Sequence, residues 1–114
     1  MRTICTVCPR RCRLAPGQTG FCRARRNEGG TVVAGNYGRV TSLALDPIEK
    51  KPLARYRPGT LVVSLGSYGC NLRCPFCQNA EISQAGEKNI PWREISPEEL
   101  VDLTLDARSR DTRV

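Results

Sequence analysis

The sequence predicts an α/β chain: a small cysteine-rich module, a β-hairpin, and then a single βα unit of a parallel sheet that stops short of closing. Three observations carry this. Residues 1 to 30 hold four cysteines and no apolar period. TLVVSLG, residues 60 to 66, is an unbroken β-branched and leucine run. Such a run suits a strand covered on both faces, as in a parallel sheet. ISPEELVDLTLDARSR, starting at Ile95, carries the signals of a helix. The expected division is 1–58, cysteine module with hairpin and connector, and 59–114, first strand, cysteine loop and first helix.

Each element has a local reason. Pro9, Pro16, Gly17, Gly20, Gly29 and Gly30 punctuate the first segment, so it reads as loops and turns. It has too little apolar surface to fold unaided and wants a staple. Val32 and Val33, then Val40, Leu43 and Leu45, read as two short strands, with Gly35-Asn36 as the hairpin turn. Pro47 and Pro52 bracket a connector, DPIEKKPL, in which Lys50 and Lys51 are expected to be solvated. Residues 80 to 95 read as irregular, with Trp92 as a packing anchor. In the helix, Ser96 is the N-cap, Pro97 takes the first position, and Glu98 and Glu99 complement the helix dipole. Leu100, Val101, Leu103, Thr104 and Ala107 form its apolar stripe. One βα unit cannot close a parallel sheet. The chain therefore reads as the front end of something larger, or as a piece that a partner completes.

Composition narrows the chemistry. The 114 residues include no histidine, which removes imidazole acid/base catalysis and histidine-bound zinc. Seven cysteines would leave one over in a pure disulfide framework. No apolar leader and no stretch near the ~18 residues of a membrane span is visible. Metal-bound thiols in a reducing cytoplasm are the expectation, with no membrane partner. The net charge of +7 permits anionic partners. Only Phe21 interleaves the N-terminal arginines, which disfavours nucleic acid.

Cys70, Cys74 and Cys77 lie within eight positions, directly after the apolar run. Structural zinc wants four protein ligands, and no fourth is close by in sequence. Three cysteines would hold three irons of a cubane cluster and leave the last iron open to a small molecule. Cys5, Cys8, Cys12 and Cys22 supply a second set of four, suited to closed zinc or to a fully ligated cluster.

GCNLRCPFCQN, with Phe76 before the last cysteine and a strand before the first, resembles the radical S-adenosylmethionine enzymes, in the branch of the pyruvate formate-lyase activating enzymes. CPRRC, LAPGQTGFCRARRNEGG, DPIEKKPL and CQNAEISQ resemble the AmmeMemoRadiSam-system radical enzyme in particular. The resemblance implies that Cys70, Cys74 and Cys77 ligate a [4Fe-4S] cluster and that S-adenosyl-L-methionine chelates its fourth iron. An electron then cleaves the sulfonium, and a 5′-deoxyadenosyl radical abstracts hydrogen from substrate. It implies that backbone around Phe76 lies near the adenine, that flavodoxin or ferredoxin supplies electrons, and that further βα units complete a barrel. The tail after the helix lacks the next apolar strand, so the chain reads as a truncated barrel front, unable to turn over alone, with a complementary fragment as a candidate partner. The competing reading is a non-enzymatic zinc or iron-sulfur module, structural or electron-carrying.

Overall fold

A computed structural model describes residues 1–114. It contains four separate two-stranded antiparallel ladders and two helices, with no closed barrel and no parallel strand pair. The chain is elongated, 53 × 32 × 24 Å, with a radius of gyration of 17.0 Å. A compact domain of this length would have a radius of about 13 Å. The accessible surface, 8258 Å², exceeds the roughly 6,200 Å² expected of a compact monomer of this size. No helix is long and apolar enough to cross a membrane.

The N-terminal segment is more ordered than its sequence suggests. Strand β1 (Thr3–Ile4) pairs with β2 (Arg13–Leu14), and Cys5 N–H extends the ladder to the Cys12 carbonyl at 2.8 Å. Strand β3 (Arg25–Glu28) pairs with β4 (Thr31–Ala34). Gly29 and Gly30 join them at φ of 59° and 92°. A two-residue turn with two left-handed positions is the hairpin geometry that glycine permits. Arg-Arg-Asn-Glu has no strand signal of its own; the Gly-Gly turn and the TVVA partner place it in a ladder. The core here is Leu14 and Asn27, both almost fully buried. Both side-chain polar atoms of Asn27 have a partner: its Nδ2 donates to the Leu14 carbonyl and its Oδ1 accepts from Gly30 N–H, both at 2.9 Å. Its backbone pairs with Gly17 and Gln18.

The expected hairpin about Gly35-Asn36 does not form. β4 takes β3 as its partner, β5 (Arg39–Val40) turns to a distant segment, and β6 (Ser42–Pro47) pairs with β7 (Leu61–Gly66). The 61–66 strand exists where expected, but its neighbour is antiparallel and it is half-exposed rather than covered on both faces. Continuous hydrophobicity specifies a strand and not the direction of its neighbour. Leu43, Leu45 and Leu65 all stand exposed on this ladder.

In the 46–53 connector, Ile48–Lys50 form a short 3₁₀ turn with Ile48 buried. Lys50 and Lys51 are not simply solvated, since both pair with Asp46, at 3.1 and 3.3 Å. The 80–95 stretch holds a one-turn helix α1 (Ala80–Ser83) and a short strand β8 (Arg93–Glu94), which pairs with β5. Helix α2 (Pro97–Arg110) starts as read: Ser96 Oγ accepts from Glu99 N–H at 3.1 Å. Leu100, Thr104 and Ala107 are half-buried, whereas Val101 and Leu103 remain exposed. No residue of α2 is fully buried.

Candidate cysteine site

The N-terminal thiols are assembled by two turns. The β1–β2 connection sets Cys5 opposite Cys12 and carries Cys8 at its tip, where Arg11 N–H bonds the Cys8 carbonyl at 3.3 Å. A second turn, closed by Arg23 N–H to the Gly20 carbonyl at 3.0 Å, presents Cys22. Gly20 stands beside Cys12, where a Cβ would make ordinary contact with Sγ at 3.7 Å. Arg11 and Arg23, each next to one of these cysteines, hold left-handed φ of 49° and 63°. That conformation is uncommon for a residue with a side chain, and Arg57 in the connector shares it at φ 45°.

Cys5, Cys8, Cys12 and Cys22 line one cavity of about 200 Å³. Cys70 lines the same cavity. The structure therefore brings together five of the seven cysteines, the four N-terminal ones and the first of the central three. All seven thiols are free.

The central loop is pinned to the N-terminal module at three points. Cys70 N–H donates to the Cys22 carbonyl at 3.1 Å. Gly69, at φ 92°, packs directly against that carbonyl; a Cβ would sit 2.5 Å from the oxygen. Arg10 Nε donates to the Asn71 carbonyl at 2.9 Å, and Arg10 and Arg73 lie over the Phe21 ring at 3.4 and 4.6 Å from its centroid. Phe21 is thus a cation–π platform between two loops.

Sulfur also receives backbone donors. Arg25 N–H reaches Cys22 Sγ at 3.3 Å, and Leu72 N–H reaches Cys70 Sγ at 3.4 Å. N–H donors to sulfur tune any metal it binds. Cys77 N–H closes a turn on the Cys74 carbonyl at 3.2 Å, and Cys77 Sγ lies 3.4 Å from Ser83 Oγ on α1. Gln84 Nε2 ties the loop back through the Leu72 carbonyl at 2.8 Å. Phe76 is 83% exposed.

Nowhere do three Cys, Asp or Glu side chains converge as the ligand set of one metal ion. The donor chemistry fits a soft centre all the same: thiols alone, N–H donors on two sulfurs, and no carboxylate on the 200 Å³ cavity. A centre held by all of Cys70, Cys74 and Cys77 requires the loop to close, because Cys70 faces the N-terminal cavity while Cys77 lies against α1.

Behind the loop, Tyr68 is buried and anchors the segment. Its carbonyl accepts from Asn36 Nδ2 at 3.0 Å and its hydroxyl from Arg39 at 2.9 Å. Arg39 also pairs with Glu87 at 2.6 Å and stacks on Trp92, 4.3 Å from the ring centroid. The Tyr68 and Glu87 contacts raise the Arg39 pKa, and Arg39 in turn holds the Glu87 carboxyl below its usual value. Sequence reading found Trp92 as an anchor but not Arg39 or Tyr68. Their partners lie 29 and 48 residues away from Arg39, so no local pattern marks them.

The chain is 52% identical over 101 residues to an uncharacterized protein of Methanocaldococcus jannaschii, MJ0808. The match covers 89% of this chain and 30% of that protein. No protein-family model and no solved structure matches the chain.

Proposed function

We propose that this chain is the front portion of a cytoplasmic radical S-adenosylmethionine enzyme of the AmmeMemoRadiSam-system type, entering a (β/α) barrel that further chain completes. The observation that carries the reading is the cysteine triad Cys70-x3-Cys74-x2-Cys77, on a loop that leaves the end of an apolar strand. A relative more than three times the length of the matched segment supports placing that segment within a larger protein.

A [4Fe-4S] cluster on Cys70, Cys74 and Cys77, when bound, would supply the electron that reductively cleaves S-adenosyl-L-methionine for hydrogen abstraction from substrate. The chain's own residues contact two of the three thiols and fix the start of their loop. Leu72 N–H donates to Cys70 Sγ, Ser83 Oγ stands against Cys77 Sγ, and Gly69 admits the Cys22 carbonyl that fixes the start of the loop. Phe76, exposed here, is available to adenine. A ferredoxin or flavodoxin is the fitting electron donor. Cys5, Cys8, Cys12 and Cys22 would hold zinc or a second cluster that staples residues 1 to 30.

Anaerobic loading with iron and sulfide tests this. About four irons per chain beyond any held by the N-terminal four cysteines, lost in a Cys70→Ala/Cys74→Ala/Cys77→Ala variant, and a visible spectrum altered by S-adenosyl-L-methionine are expected. The 114-residue chain alone is expected to give no multiple turnover to 5′-deoxyadenosine. An iron-free protein under every loading condition would end the proposal.

The shared cavity of the four N-terminal thiols favours a second reading, a zinc- or cluster-stapled module without catalysis. It predicts one metal centre, retained in the triple variant and indifferent to S-adenosyl-L-methionine.

A further inference from the structure

A second, larger cleft lies on the seam between the N-terminal module and the 86–89 turn, sharing only Ala24 with the lining of the cysteine cavity. It encloses about 360 Å³. That is within the size range of small-molecule sites. Four cations line it: Arg23, Arg26, Arg39 and Lys88, with Glu87 as the one carboxylate.

Their charges do not cancel. Glu87 is committed to Arg39 at 2.6 Å, and Arg26 pairs with Glu28 on its own strand. Arg23 and Lys88 form no ion pair in the chain. Arg23 has only the amide oxygen of Gln84, at 3.4 Å. Arg26 Nε is buried without a hydrogen-bond partner. Buried donors are normally satisfied, and an unmet one invites a ligand or water. Arg39 is held in place by the buried Tyr68 hydroxyl and by the Trp92 face. It is therefore pre-organised rather than free to swing away.

We propose that this cleft binds a phosphate-bearing small molecule. The two uncompensated cations match the two negative charges that a phosphate group concentrates at one point. Guanidinium forks take phosphate oxygens in pairs, and a lysine adds a point charge. The aromatic ring lining the cleft, Tyr68, is itself buried, and Trp92 behind Arg39 is covered by that guanidinium, which leaves no stacking face for a nucleic-acid strand. The site does not depend on the cysteine chemistry above, and its test needs no metal.

Calorimetric titration of the whole chain at fixed ionic strength, with inorganic pyrophosphate as probe, decides the matter. Saturable binding at one site is expected, weakened about tenfold or more by Lys88→Gln and by Arg23→Gln, and unchanged by Arg110→Gln, which lies outside the cleft. Lys88 is exposed, so its variant keeps the fold and suffices if the Arg23 variant does not. Absence of saturable binding overturns the proposal. So does equal loss in the Arg110 variant, equal affinity for malonate, or stronger binding of a single-stranded oligonucleotide.

Discussion

The N-terminal module and the second half of the chain solve the same problem in opposite ways. Residues 1 to 34 have almost no apolar core, yet close on themselves through two hairpins and the hydrogen-bonded Asn27. Residues 42 to 110 have abundant apolar side chains, yet leave Leu43, Leu45, Leu65, Val101 and Leu105 exposed. A polar chain can close through complete hydrogen bonding around turns. An apolar ladder and helix need a further layer to cover them. The lesson is that order in this protein follows satisfied backbone and buried amide groups more closely than hydrophobic content. The two regions meet at Cys22 and Gly69, where one carbonyl joins both cysteine sets.

Gly69→Ala strikes that junction and carries the largest expected effect. Its Cβ would sit 2.5 Å from the Cys22 carbonyl, at φ 92°. Steric overlap and a left-handed alanine together cost about 2–4 kcal/mol. The loop should lift off, and Cys70 should become several-fold more reactive to a maleimide, while α2 keeps its helical signal. Unchanged Cys70 reactivity would mean that the two regions are held together elsewhere.

Asn27→Ala tests the N-terminal half alone. It strips partners from the Leu14 carbonyl and Gly30 N–H, a loss of about 2–3 kcal/mol. Chemical denaturation followed at the N-terminal hairpins should show it. A change under 0.5 kcal/mol, roughly that of an ordinary surface substitution, would remove Asn27 as the organiser of that module.

Ser96→Ala touches only the second half. Loss of the cap to Glu99 N–H should cost about 1 kcal/mol, read as reduced helicity of 97–110 with the hairpins untouched.

The smallest effect is electrostatic. Arg39 lowers the Glu87 pKa, so the ion pair contributes fully above the ordinary glutamate value of about 4.3. Its contribution fades as pH falls through the depressed Glu87 value. Carboxyl NMR should give Glu87 a midpoint below that of free glutamate, and Arg39→Lys should move it back toward the ordinary value. A Glu87 midpoint already at the ordinary value would show that the pair is not formed in solution.

Legibility tracked the range of the interaction. Helix α2 was readable because its signals, Ser96, Pro97 and two glutamates, act within one turn. The 61–66 strand was readable as a strand, but its antiparallel partner was not, since a solid apolar run carries no register or direction. The Gly35-Asn36 hairpin was misread because the competing Gly29-Gly30 turn demands nothing of the flanking RRNE except backbone pairing. Lys50 and Lys51 looked solvated because Asp46, their common partner, lies in the strand before them. In the cysteine site, spacing alone grouped residues as four and three. The structure sets Cys70 in the cavity of the four, through a contact to Cys22 across 48 residues of chain.

By itself, the order of residues determined a chain without imidazole, a donor set made of sulfur, a capped helix and an apolar strand ahead of a cysteine loop. Those properties are composition and short-range stereochemistry, and both are local. Only tertiary structure decided which strands pair, that Arg39 joins Tyr68 to Glu87, and that Cys70 stands among the N-terminal thiols. Apart from the short hairpins, these depend on groups well separated along the chain meeting at about 3 Å, a closeness created by folding.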